Sequence, residues 1–152
     1  MFRSREQALS KTAKDELHER CNAIEESYEY MLAYAAQGVS GESGSQTGGQ
    51  IRGYLTGTDT ALTGLADVFR SLVAETKVES PDVYEVFIQM LERDAQDAQA
   101  AVRLALAQPA ISSQLVDNLN ASIHIRTLLT DLFLVDEILK QRLAESDHSS
   151  AS

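Results

Sequence analysis

IRGYLTGTDTALTGLADVFRSL, residues 51–72, carries Ile51, Leu55, Thr58, Leu62, Leu65, Phe69 and Leu72 at alternating spacings of four and three. That spacing keeps all seven on one side of an α-helix, as in the apolar seam of a helical bundle. Gly53, Gly57 and Gly64 interrupt the stretch, and each costs about 1 kcal/mol relative to alanine in a helix interior. Gly53 and Gly57 lie four apart and share a face, where the expectation is close approach of a neighbouring backbone.

Three further segments repeat the pattern. Leu17, Cys21, Ile24, Tyr28, Met31 and Ala35 define a first helix expected to start at Ser4 and to run to about Gln37. A third helix opens at Ser80-Pro81-Asp82, with proline at a position where no amide hydrogen is missed, and buries Phe87, Leu91, Ala95, Ala98, Val102 and Ala105. Pro109 disfavours helix at Gln108, so the last helix should begin near Ser112 or Ser113. It places Ala121, Ile125, Leu128, Leu132, Val135 and Leu139 on one seam.

The expected fold is therefore all-α, a four-helix bundle with up-and-down topology. A glycine-rich loop over 38–50 joins the first two helices, the second opening on a Thr47/Gln50 capping box. That loop is long for a bundle connection, carries little to bury, and is a candidate partner contact. Residues 1–145 form the single domain, and 146–152 read as a disordered polar tail.

Composition narrows the function classes. Among 152 residues, 23 acidic against 13 basic side chains give a net charge of −10. Nucleic acid and anionic membrane surfaces are held largely through lysine and arginine, so neither is an expected partner. The apolar run from Leu128 to Leu139 is broken by Asp131, Asp136 and Glu137 and falls short of the roughly 20 residues of a membrane span. The opening residues lack the apolar core of a signal peptide. With Cys21 as the single cysteine, a soluble chain in the reducing cytoplasm is expected.

No motif of nucleophilic catalysis, phosphate binding or paired metal ligation occurs, so no enzyme activity and no cofactor are expected. A ferritin-like metal bundle is the alternative. It builds its cage from inward glutamates and Glu-x-x-His pairs, and here it would have to draw on His18, Glu25, Glu29, Asp94 and Asp131. A second alternative, a small-molecule sensor, requires an apolar pocket between helices near Tyr28 and Tyr54. Tyr30 and Tyr34 are expected to pack at the core edge.

The last helix carries a second apolar stripe, Ile123, Thr127, Thr130, Leu134 and Ile138, beside its seam, with Leu129 and Phe133 filling part of the angle between. A helix so apolar around its circumference is not satisfied by one seam. Ile123, Leu134 and Ile138 are therefore expected to form a self-interface, most simply in a two-fold homodimer. The expected function is a non-catalytic adaptor, assembly or accessory protein acting through homo-oligomerisation and contact with a protein partner.

Overall fold

The computed structural model describes residues 12–42 and 48–151, the last ten of these as backbone. Among them are six helices and no strand: α1 (Ala13–Ala36), α2 (Gly48–Leu62), α3 (Leu65–Thr76), α4 (Pro81–Leu106), α5 (Ser113–Ala121) and α6 (Ile123–Ala151). None of the described helices is long and apolar enough to cross a membrane. The two long helices α1 and α4 each pack against α2, α3, α5 and α6. They thus lie between the α2–α3 pair on one side and the α5–α6 pair on the other.

Six helices stand where four were expected, because two predicted helices are broken. The first break is at Gly64, whose φ of +78° lies in the left-handed region. Around the break, side chains from both long helices bond the carbonyls of α2's last turn. The Arg20 guanidinium of α1 donates to the carbonyls of Thr60, Ala61 and Thr63. From α4, Gln99 Nε2 donates to the Asp59 carbonyl at 3.0 Å and to Thr63 Oγ1 at 2.9 Å. The helical phase survives the break: Ile51, Leu55, Thr58, Leu62, Leu65, Phe69 and Leu72 are all buried.

The second break is at Ser122, which is extended (φ −59°, ψ 133°). Its amide donates to the Leu119 carbonyl, closing α5, while its hydroxyl accepts from the His124 amide at 3.2 Å, opening α6. A serine side chain that bonds the local backbone offers the chain such an alternative to continuous helix.

At the termini the structure revises several boundaries. Ser4 and Thr47 lie outside the described residues; α1 starts at Ala13, where Thr12 Oγ1 accepts from the Asp15 amide at 3.1 Å. Ser80 occupies the N-cap position of α4 without a hydrogen bond from its side chain. α5 begins at Ser113, where a helix start was expected, and Ser112 caps it by accepting from the Leu115 amide at 3.0 Å. The backbone of α6 stays helical to Ala151, past the Glu145 boundary that composition suggests.

Close packing at Gly53 and Gly57 is not found. Both face solvent, and a Cβ at either position would meet nothing within 4 Å. Alanine at either position should therefore stabilise, by up to about 1 kcal/mol. Gly64→Ala should destabilise, by about 1–2 kcal/mol, because an L side chain is strained at a left-handed φ. Urea melts of the three single variants check both signs.

The loop after α1 is also more structured than its composition implies. Val39 is half-buried against the core and Gly41 is buried, with Ala110 Cβ 3.4 Å from where its own Cβ would be. The Val39 amide donates to Ser113 Oγ at 3.0 Å, and the Ser113 amide returns a bond to the Val39 carbonyl at 2.9 Å. Glu42 accepts from the Ile111 amide at 2.6 Å and pairs with Arg52. Arg52 in turn donates to the carbonyls of Leu106 and Gln108 at 3.0 and 2.7 Å. Residues 38–42 are thus a docked strap; 43–47 lie outside the described residues.

Tyr34 sits beneath that strap, fully buried rather than at the core edge. Its hydroxyl donates to the Ile111 carbonyl at 2.6 Å, and its own carbonyl accepts from Ser113 Oγ at 2.7 Å.

Candidate functional site

α6 carries two carboxylates toward the interior, five residues apart, and each meets an acid from another helix. Asp131 turns to Asp94 of α4, and Asp136 turns to Glu25 of α1. Asp131 falls three residues after Leu128 and four before Val135, both fully packed, so helical geometry delivers it inside; it is 4 % exposed. Its Oδ2 and the Oε1 of Glu25 are buried and accept no hydrogen bond among the described residues.

Burial without donors penalises charge, and a neighbouring carboxyl penalises it again. Burial, then the hydrogen bond and repulsion from Asp94, raise the Asp131 pKa from 3.8 to about 7. Burial, then the hydrogen bond and repulsion from Asp136, raise that of Glu25 from 4.5 to about 7, with Glu29 adding to the rise and Lys140 opposing it. Each pair is stable when the two oxygens share a proton.

The Glu25–Asp136 pair lines a cleft of about 350 Å³ between α1 and α6, together with His18, Asp15, Lys14 and Lys140. Cys21 is fully buried nearby. Burial and then the charges of Asp136 and Glu25 push its thiol up to about 12. Such a thiol stays protonated and is a poor nucleophile at neutral pH.

The candidate metal ligands do not converge. His18, Glu25 and Glu29 lie along α1, whereas Asp94 and Asp131 meet between α4 and α6. Among the described residues no group of three or more histidine, cysteine, aspartate or glutamate side chains is arranged to hold a metal ion. The pocket sought near Tyr28 and Tyr54 is a void of about 10 Å³ beside Tyr28, lined by Ile24, Met31, Thr58, Val102 and Ile125 among others. That is room for about one water. Tyr54 stacks instead on Tyr30, with ring centroids 4.2 Å apart.

The second stripe of α6 faces outward at Ile123, Thr130 and Leu134 and is half-buried at Thr127 and Ile138. Ile123 is 71 % and Leu134 50 % exposed, and Ile138 is half-buried. Phe133, which the sequence placed between the two stripes, is 59 % exposed and extends the apolar area. Arg126, Thr130, Glu137 and Gln141 are exposed along the same side. The signal that locates Asp131 and Asp136 is present in the sequence as charges within the long apolar-leaning run from Leu128 to Leu139; what it does not carry is which helix supplies the opposing acid.

Comparison with protein-family models, with curated protein sequences and with solved structures found no match. The reading of function therefore rests on this chain's own residues.

Proposed function

We propose that this chain is a non-catalytic, cytoplasmic association module, an adaptor or accessory subunit that self-associates through the outer face of α6. In this reading the six helices act as four rods, α1, α2–α3, α4 and α5–α6, in up-and-down order. The observation that carries the proposal is the exposure of Ile123, Phe133 and Leu134 on one helix. Burying a large apolar side chain contributes roughly 1.5–3 kcal/mol, and three per copy offset a substantial part of the translational and rotational cost of association. A two-fold pairing lets one patch meet its own copy. The segment after the docked strap, around 43–47, remains the proposed contact for a protein partner.

Light scattering on the purified chain should give the mass of a dimer at tens of micromolar. Leu134→Lys combined with Ile138→Glu should give a monomer that keeps its helical circular dichroism. A wild-type monomer at that concentration would sink the proposal.

A further inference from the structure

The exposed side of α6 carries one charge arrangement that fits a second copy in only one direction. Arg126 and Glu137 are both exposed, and neither has an ion-pair partner among the described residues. They are eleven residues apart, close to three full helical turns, so they share one azimuth about 16 Å apart along the axis. Thr130 lies between them, with Phe133 on one side of this line and Ile123 and Leu134 on the other.

Resting on the self-association reading above, we infer that two copies pair their α6 helices antiparallel, with the two-fold axis between residues 131 and 132. In that register Arg126 of each copy meets Glu137 of the other, giving two reciprocal ion pairs from one patch. Phe133 falls across Thr130 of the second copy, and Ile123 comes level with Lys140 and, on its own side of the helix, within one residue's rise of Gln141. A parallel pairing would set Arg126 against Arg126 and Glu137 against Glu137, placing like charges in contact at both points.

Charge also selects the occupant. The chain carries −10 overall, and two copies repel one another over most of their surfaces. The α6 face is an exception, since Arg126 and Glu137 cancel there. A second copy of an acidic chain meets least repulsion at a patch that is locally neutral and apolar.

Cysteine cross-linking with a short bismaleimide reads the direction, because Cys21 is buried and contributes no background. Ile123→Cys and Gln141→Cys should each fail to cross-link alone, since Ile123 lies about 26 Å along the axis from its own counterpart. A mixture of the two variants should cross-link. The reverse pattern, with each variant linking to itself, would overturn the antiparallel register while leaving the dimer in place.

Charge reversal supplies the second arm. Arg126→Glu and Glu137→Arg should each weaken dimerisation by at least about tenfold, since each puts like charges in contact at two symmetric points. The double reversal should return within about threefold of the wild-type dissociation constant. Single reversals that leave dimerisation unchanged, or a double reversal that fails to restore it, would reject the Arg126–Glu137 pairing. A wild-type monomer by light scattering would instead remove the underlying self-association reading, so the two failures are distinguishable.

Discussion

Lowering the pH from 8 to about 5.5 should make this protein harder to melt, by roughly 4–8 °C in Tm. The cause is the two acid pairs that hold α6 to its neighbours. Asp131 and Glu25 have folded pKa values near 7, against ordinary values of 3.8 and 4.5. Between those limits the folded chain keeps protons that the unfolded chain gives up. Stability therefore falls as pH rises through that window and is flat above it.

The full shift of an isolated buried acid would amount to several kcal/mol. Because each proton is shared within a pair and Glu25 is partly solvated, about 2 kcal/mol is the expected net effect. In a chain of this size that corresponds to the stated change in Tm. The trend reverses in stronger acid. Hydrogen bonds from Arg52 and Arg70 lower the Glu42 and Glu85 pKa values, so their stabilisation is present above pH 4.5 and lost as pH falls through their folded values. Maximum stability should thus lie near pH 5.

Asp131→Asn, which keeps the shape and a donor toward Asp94, should flatten the slope between pH 5 and 8 and raise Tm at pH 8. Calorimetric scans at several pH values test this. A slope that persists unchanged in Asp131→Asn combined with Glu25→Gln would assign it to the general repulsion of a −10 chain rather than to these pairs.

Truncating Tyr34 should produce the largest loss of stability. Its ring is fully buried, and Tyr34→Ala should cost about 3–5 kcal/mol by the usual consequence of emptying an aromatic site. That is a large share of the 5–15 kcal/mol that holds a typical domain folded. Tyr34→Phe isolates the hydroxyl: it leaves the Ile111 carbonyl without its 2.6 Å donor and should cost about 1–3 kcal/mol. Removing residues 43–47 should change little, since loop closure depends only weakly on length. Urea denaturation of the three variants checks the ranking. If Tyr34→Phe were as stable as wild type, the strap over residues 38–42 would not depend on this bond.

The contrast between Tyr34 and the segment that follows it shows where sequence reasoning runs out. The seam of 51–72 was legible because burial follows helical phase, and phase depends only on spacing. The break within it was not, because three glycines look equivalent locally. Gly64 is distinguished by Arg20 and Gln99, which bond the residues just before it from 36 or more positions away in sequence. Ser122 left a similarly weak trace. The strap is hidden for the same reason: a stretch rich in glycine and serine has little apolar surface, yet the Val39 backbone finds fixed partners at Ser113 and the Glu42 carboxylate finds one at the Ile111 amide.

For the candidate site, the outward direction of Ile123 and Leu134 was readable from their offset to the buried seam. The acid pairs were not. Asp94 and Glu25 resemble ordinary solvated edges of their own helices until the packing of α6 sets Asp131 and Asp136 against them. The four acids and the histidine that a metal cage would have to draw on fall instead on two sides of one helix.

Cys21 offers a clock for motion at that helix. Its sulfur is enclosed where α1 meets α6, and a thiol held at about 12 scarcely ionises while the enclosure lasts. Alkylating or oxidising reagents can therefore reach it only during excursions that open the core around it. The pace at which this single sulfur is modified becomes a direct record of how often the molecule breathes around α1, written by the native chain without any added label.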